Sequence, residues 1–454
     1  MPIATKDQKK LPLAWLFRGA QPLSDKQTRI LNIFFYTTIV STACAMLGII
    51  LYYIYAYAAL YRGSDSFNWV LSVFADFVSI MNAALADSPY VLEDGASYPP
   101  IAIMVLYPFA LICKGVFATY AGQEWISIEE LTSQVILHPQ FWVALVLFFL
   151  VSTASIILIV IKKYKLEPVA AFKVSMIILL SAPFVYAIMR GNTIYFALIF
   201  LLLFLLLYEN PRPWVREIAY LCLVIAGSIK IYPLFFGVFL LKKKKFFASF
   251  RVAVYFFTLF FLSFHFFSGG LKGMEPFFEN LTGFMSSDNR LLSLRNLSVP
   301  ALLYKVIYLF SPAATETVFF SVLSLCVMLF MFFGTTLTAT VTKSHHSRSV
   351  LASGIVILLP TISYFYTLVF MVIPFMEFLR AYNTLPKWKQ RLYVALYIFL
   401  FLTFAVLPQC FVPHTLAVIT MMAVEGWTVL QGEIIPWLRG TKDRRAQKRL
   451  ARAN

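Results

Sequence analysis

Long apolar stretches separated by short charged turns run along the chain from about residue 30 to residue 431. The blocks fall near 30–60, 100–119, 140–161, 167–189, 193–208, 214–241, 247–268, 314–340, 349–379, 391–409 and 413–431. Apolar runs near or beyond about 18 residues predict transmembrane helices. Such helices bury their faces against lipid and one another instead of around a soluble core. The pattern therefore predicts an all-α polytopic membrane protein.

Charge placement sets the expected topology. Lys6, Lys9, Lys10, Arg18, Lys26 and Arg29 precede the first block and place the N-terminus in the cytoplasm under the positive-inside rule. The apolar run begins too late for a signal peptide, so the first span is expected to be retained. Residues 61–98 then lie outside, with Asp65, Asp76, Asp87, Glu93 and Asp94 against Arg62 alone. Phe67, Val70, Phe74, Phe77, Val78 and Met81 recur there at helical spacing, which predicts an amphipathic helix on the membrane surface. The basic run Lys162-Lys163-Tyr164-Lys165 is cytoplasmic, so one of the three preceding blocks must not cross. The block 100–119 opens with Pro-Pro and contains Pro108, and is expected to be a half-embedded outer helix. The stretch 121–138, with Glu124, Glu129 and Glu130 and no Lys or Arg, is also expected outside.

Two later blocks have cytoplasmic charge at both ends but are too short for two full spans. They are 214–241, with Gly227 and Pro233, and 349–379, with Pro360. Broken pairs of short helices are expected there, lining a cavity. A polar outer loop is expected over 269–299, and a cytoplasmic loop over Lys343–Arg348. The full reading gives about twelve crossings, with amphipathic or juxtamembrane helices in the first outer loop. A cytoplasmic N-terminus over 1–29 and a basic tail over 433–454 flank one transmembrane domain, 30–432. That tail carries Arg439, Lys442, Arg444, Arg445, Lys448, Arg449 and Arg452 and is also placed in the cytoplasm.

Composition supports this picture. The chain of 454 residues is 60% hydrophobic and only 13% charged, against roughly 25% charged in a soluble domain. The net charge of +17 lies in short runs between apolar blocks, which fits contact with membrane lipids and argues against nucleic acid. Cys44, Cys113, Cys222, Cys326 and Cys410 are widely spaced and predict no disulfide framework. No nucleotide-binding glycine motif and no metal-ligand spacing is present, so no metal or other cofactor is expected.

The candidate chemistry gathers at the expected outer face. Asp76 follows the first span and is either the solvated face of a surface helix or a general base towards a sugar hydroxyl. Lys230 lies inside an apolar segment, where a lysine costs roughly 2.5–3.5 kcal/mol; its partner is expected to be an anion, most simply a phosphate, unless it snorkels to an interface. Arg190 ends a span and is either a second such cation or an interfacial anchor. His265 and Arg295 are possible additions. The sequons Asn280-Leu281-Thr282 and Asn296-Leu297-Ser298 lie in the later outer loop.

Together these residues resemble the GT-C superfamily of polytopic glycosyltransferases, and within it glycosyltransferase family 87. The likeness rests on Asp76 after the first span, Tyr98-Pro99-Pro100, Gly191-Asn192, Lys230-Ile231-Tyr232-Pro233, Asn296-Leu297-Ser298 and Pro360 to Tyr366, in the family's order. It covers about residues 70–430. Tyr364 stands where the family has tryptophan, Tyr366 and Thr367 replace histidines, and Asn296-Leu297-Ser298 lacks a central glutamine. The resemblance implies a GT-C-like fold in a bacterial plasma membrane, both termini cytoplasmic and the site outside. It implies a polyprenyl-phosphate-linked sugar, mannose or another hexose or pentose, as donor, and a glycolipid or glycan as acceptor. It implies inverting transfer with Asp76 as base and Lys230 and Arg190 on the donor phosphate. Tyr98, Asn192, Tyr232, Asn296, Ser298, Tyr364 and Tyr366 would contact donor or acceptor. A transporter or flippase for a lipid or polyanion is the alternative from another class, since broken helices and Lys230 would serve it too. An O-antigen-type polymerase or ligase is a third reading, though the largest outer region here is acidic.

Overall fold

The computed structural model describes residues 15–60, 73–91, 95–120, 127–243, 245–286, 288–315, 317–402 and 411–437, with side chains described to residue 48 in the first segment and outside 286–289. Asp65, Phe67, Val70, Glu93, Asp94, Glu124, Cys410, the first three lysines and the basic tail beyond residue 437 lie outside the described residues. Among the described residues the secondary structure is helical, with no strand.

Helix α1 runs from Asp25 to Leu60. Helix α2 (Ala75–Leu85) follows, then α3 (Pro100–Ile112) and α4 (Lys114–Tyr120), which meet at 92°. The Pro99-Pro100 pair starts α3 because proline fits the first helical turn, where no N–H partner is needed. The bend between α3 and α4 makes this pair either a broken span or a re-entrant loop. A short α5 (Ile128–Val135) is closed by a reciprocal Ser127–Glu130 capping box. Helix α6 (Pro139–Tyr164) is long, apolar and ends at the Lys162-Lys163 run. Helices α7 (Pro168–Leu180) and α8 (Ala182–Arg190) form one bent pair with a 53° break. Helices α9 (Ile194–Leu207) and α10 (Pro213–Ile229) make an antiparallel hairpin turned at Asn210-Pro211.

The expected break in 214–241 falls at Lys230-Ile231. Lys230 has extended backbone (φ −142°, ψ 122°), and a 3₁₀ turn, Tyr232–Gly237, leads into α11 (Val238–Lys242). Helix α12 (Phe246–Ser263) follows. The expected loop 269–299 is mostly helical: α13 (Met274–Ser286), α14 (Asp288–Leu292) and the start of α15 (Val299–Phe310) occupy it. A single turn, α16 (Pro312–Thr315), precedes the long α17 (Val318–Val341). The second expected break is also present. Helix α18 (His345–Leu358) stops before Pro360, and a 3₁₀ turn (Phe365–Met371) leads into α19 (Val372–Ala381). Helices α20 (Lys387–Phe401) and α21 (Val412–Val429) complete the described chain.

Six helices among the described residues are long and apolar enough to cross a membrane, or up to eight if each bent pair is one span. The expectation of about twelve counted the halves of broken pairs and the 14-residue α9 as crossings. Three further expectations change. The apolar face of α2 meets protein: Phe77, Val78, Ile80 and Met81 are fully buried and α3 and α5 pack against it. Residues 345–348 are not a loop: they open α18, with His346 and Arg348 buried. Arg348 Nε and Nη2 donate to the carbonyls of Ala339 (3.1 Å) and Thr342 (2.6 Å), closing the end of α17. The sequon asparagines are not open loop positions either. Asn280 Nδ2 donates to the Tyr90 carbonyl at 2.9 Å, and Asn296 is 1% exposed.

The chain divides into two compact units. The first holds residues 1–234, 250–287 and 397–408, and the second holds 235–249, 288–396 and 409–454. In the first, the core is aromatic: Phe77, Phe109, Phe141, Phe148 and Phe196 interlock where α2, α3, α6 and α9 meet. In the second, α18 is buried along its length against α17, α19 and α21.

Candidate functional site

The site in the first unit is built around the start of α2. Phe74 takes a left-handed conformation (φ 65°), and its N–H donates to the Met189 carbonyl at 2.7 Å. That bond fastens the start of α2 to the end of α8, 115 residues later in sequence. Gly191, also left-handed (φ 62°), ends α8. A Cβ on Gly191 would lie 2.3 Å from Phe77 Cβ, so only glycine lets the turn close so tightly on α2.

The turn delivers two donors to one carboxylate. Arg190 Nη2 bonds Asp76 Oδ1, and Asn192 Nδ2 donates to Asp76 Oδ2 at 2.8 Å. Asn192 is fully buried, and its Oδ1 accepts the Ile194 N–H at 3.0 Å, which fixes the amide so that its nitrogen faces Asp76. Asp76 keeps an 11% exposed side chain and Arg190 a 28% exposed one. A carboxylate offers about four lone-pair positions, more than these two bonds use.

Lys230 comes to the same place from the break after α10. Its Nζ lies 4.6 Å from the centre of the Tyr98 ring, a cation–π contact. It also lies within the electrostatic reach of Asp76. Tyr98 is held in turn: Tyr90 Oη donates to the Tyr98 carbonyl at 3.2 Å, and the following prolines restrict the backbone. Asp76, Tyr98, Arg190, Asn192 and Lys230 are thus one constellation drawn from four separate segments. Tyr232, two residues after Lys230, opens the 3₁₀ turn and is partly buried. His265 lies on the exposed turn that ends α12.

Asn296, Ser298, Tyr364 and Tyr366 belong to the second unit. Asn296 Nδ2 donates to the carbonyls of Arg290 (3.3 Å) and Thr361 (3.1 Å), while its Oδ1 accepts the N–H groups of Ser298 (3.1 Å) and Ser363 (3.0 Å). Ser298 caps α15 and donates to the Thr361 carbonyl at 2.7 Å. Both side chains therefore tie two backbone segments together. The rings of Tyr364 and Tyr366 stand 5.9 Å apart at 56°, Tyr364 partly exposed and Tyr366 almost buried. Arg295 is exposed.

Two further features carry little signal in the sequence. Arg290 Nη1 sits 3.5 Å from Tyr364 Oη; one arginine in a polar loop carries no signal of that contact. The other is a buried charge cluster on α18, α20 and α21. Glu425 accepts from Ser347 Oγ (2.7 Å), Lys389 Nζ (3.0 Å) and Tyr393 Oη (2.6 Å), with His346 Nδ1 3.7 Å away. A glutamate within the apolar run 413–431 was the available clue.

The fold and this site define a membrane-embedded helical protein with a fixed carboxylate beside cationic side chains. Residues 97–358, more than half of the chain, match the family model of glycosyltransferase family 87, and the protein belongs to that family. The match begins at Ser97-Tyr98-Pro99-Pro100 and includes Arg190, Asn192, Lys230, Asn296 and Ser298; Asp76, Tyr364 and Tyr366 lie outside it. No curated protein matches the chain.

Proposed function

We propose that the protein moves a sugar from a polyprenyl-phosphate carrier to a hydroxyl of a glycolipid or glycan acceptor on the outer face of the membrane, with inversion. The observation that supports this most is the held carboxylate: Asp76 carries two fixed donors, with Lys230 close by. The acceptor hydroxyl gives its proton to Asp76 as its oxygen attacks the anomeric carbon. The bond from that carbon to the phosphate oxygen breaks, and the electron pair leaves with the phosphate. Lys230 stabilises the departing anion, a charge that grows in the transition state. Phosphate leaves without a general acid.

Arg190 takes a different role from the one the resemblance implied. Its bond to Asp76 makes it, with Asn192, a residue that aims the base. Tyr98 positions the Lys230 ammonium. Tyr232 offers an aromatic face and a hydroxyl to the sugar. Asn296 and Ser298 act through the backbone segments they join.

The test is transfer by the purified protein from a panel of polyprenyl-phosphate sugars to membrane glycolipid acceptors. Sugar transfer with release of polyprenyl phosphate supports the reading. Donor binding and passage across a vesicle bilayer, with no transfer to any acceptor, would favour the transporter.

A further inference from the structure

In the second unit, the end of α17 gathers cations that the proposed transfer does not use. Helices α11 and α18 pack against α17. Lys242 Nζ donates to the Val341 carbonyl at 2.7 Å, and Arg348 holds the carbonyls of Ala339 and Thr342. Lys343 follows Thr342 directly and Lys243 follows Lys242; both are exposed. Lys243, Lys343 and Arg348 lie within electrostatic reach of Lys242, and so does one carboxylate, Glu433. The Glu433 oxygens accept the Lys343 N–H (3.1 and 3.0 Å) and the Thr342 hydroxyl (3.1 Å). Neither 242–251 nor 334–350 contains an acidic residue. The end of α17 itself adds about half a negative charge. Four basic side chains against these two opposing charges leave the group clearly positive.

The group sits at the level of a membrane surface. Helix α17 is long and apolar enough to cross a bilayer, and these cations surround its last turn. Exposed aromatic side chains mark the same level. Phe246 and Phe247 follow the lysines at the start of α12, and Trp437 stands one helical turn beyond Glu433. Tryptophan gathers where headgroups meet acyl chains. Helix α18 has 14 residues, roughly 20 Å at 1.5 Å per residue, and separates this end from the Pro360–Tyr366 segment. The cation group is thus distinct from the residues around Asn296 and Tyr364. Neighbouring ammonium groups repel one another. An anion among them relieves the repulsion and receives charge-assisted hydrogen bonds.

We infer that this end of α17 binds the headgroup of an anionic phospholipid from the surrounding bilayer. Lys243 and Lys343 meet the phosphate, and Phe246, Phe247 and Trp437 lie against the glycerol and upper acyl chains. The charge selects an anionic headgroup, because choline or ethanolamine would bring another cation to the cluster. The aromatic rim selects a lipid over free phosphate. This lipid is a resident of the membrane and not a substrate, so the inference stands apart from the sugar-transfer reading. Bound there, it joins the ends of α11, α17 and α18 and stabilises the fold by mass action.

The full-length protein in dodecyl maltoside would be titrated at low salt with dioctanoyl phosphatidylglycerol and with dioctanoyl phosphatidylcholine. Melting temperature reports binding, and native mass spectrometry counts bound lipid. Soluble glycerol 3-phosphate is the headgroup-only control. Phosphatidylglycerol is expected to bind about tenfold or more tighter than phosphatidylcholine, with the difference shrinking as salt is added. A basic residue near an anionic lipid is worth about fivefold in affinity. Lys243→Gln/Lys343→Gln should therefore weaken phosphatidylglycerol by roughly 25-fold, while Lys243→Arg/Lys343→Arg keeps it. Lys272→Gln/Lys387→Gln removes the same charge from two other exposed positions and should leave affinity nearly unchanged. Equal affinity of the wild type for both lipids overturns the inference, as does unchanged affinity in Lys243→Gln/Lys343→Gln. An equal loss in both glutamine pairs also overturns it, since net charge alone would then explain the binding. Glycerol 3-phosphate binding as tightly as phosphatidylglycerol would reduce the lipid site to a phosphate site. If Lys243→Gln/Lys343→Gln fails to fold, Lys343→Gln alone carries the test, with a loss of about fivefold.

Discussion

Gly191→Ala tests how the carboxylate is held. Two costs follow from its geometry. The left-handed backbone (φ 62°) costs an L-residue about 1–2 kcal/mol. The new Cβ would also sit 2.3 Å from Phe77 Cβ and 3.0 Å from its Cγ. Carbon atoms pack at roughly 3.5–4.0 Å, so the two Cβ atoms must part by about 1.5 Å. Phe77 cannot yield easily, because it is fully buried among Phe109, Phe141 and Phe148. The movement therefore falls on the 190–192 turn, which carries both donors to Asp76. Overpacking adds about 1–3 kcal/mol, so a fully absorbed change would cost roughly 2–5 kcal/mol. A misplacement near 1 Å at reacting groups is worth about 100-fold in rate. The assay is initial transfer rate against donor concentration in nanodiscs, alongside thermal unfolding by circular dichroism. The expected result is kcat reduced about 100-fold at a lowered melting temperature. Phe77→Ala should not rescue it, because the colliding Cβ remains. Wild-type kcat/KM and melting temperature in Gly191→Ala would refute the reasoning.

Three further changes probe other parts of the account. Lys389→Met leaves Glu425, 1% exposed, without its cation and should cost about 3–5 kcal/mol, most of it recovered in Lys389→Met/Glu425→Gln; denaturant unfolding of both variants measures this, and equal losses would contradict it. Lys230→Gln should lower kcat by about 10²–10³-fold, as for loss of one group stabilising a developing anion, while Lys230→Arg retains part of the rate; steady-state kinetics decides, and an effect confined to KM would show that Lys230 only binds ground-state donor. Asn296→Ala removes four hydrogen bonds to backbone groups and should destabilise by roughly 2–4 kcal/mol, with Asn296→Asp intermediate; thermal unfolding of the two reads the order.

The apolar blocks made the helices legible, and both broken pairs fell where lysine or proline interrupted them. Lys230 could be singled out because a cation inside an apolar run is costly. Its neighbours could not be read off locally. Asp76 and Arg190 are 114 residues apart, and no periodicity pairs residues at that distance; charge topology put both at one expected face, and the family resemblance put them in one site. The bond from Arg190 to Asp76 could not be foreseen either, because a motif carries residue types and order but no hydrogen-bond geometry. The apolar spacing of α2 correctly marked a helix. Whether Phe77 and Met81 met lipid or protein depended on α3 and α5, which only the tertiary fold brings over them. The burial of Asn296 was hidden for a similar reason: an exposed loop asparagine and a buried one spanning two backbone segments are identical in sequence.

The central claim is that Asp76 is the base in a sugar transfer. The most direct measurement compares single-turnover transfer and donor binding in wild type and Asp76→Asn. Asparagine keeps the size and one acceptor oxygen but cannot take the proton. The account predicts transfer slower by about 10²–10⁴-fold with donor affinity within a few-fold of wild type. Transfer at the wild-type rate in Asp76→Asn would contradict it.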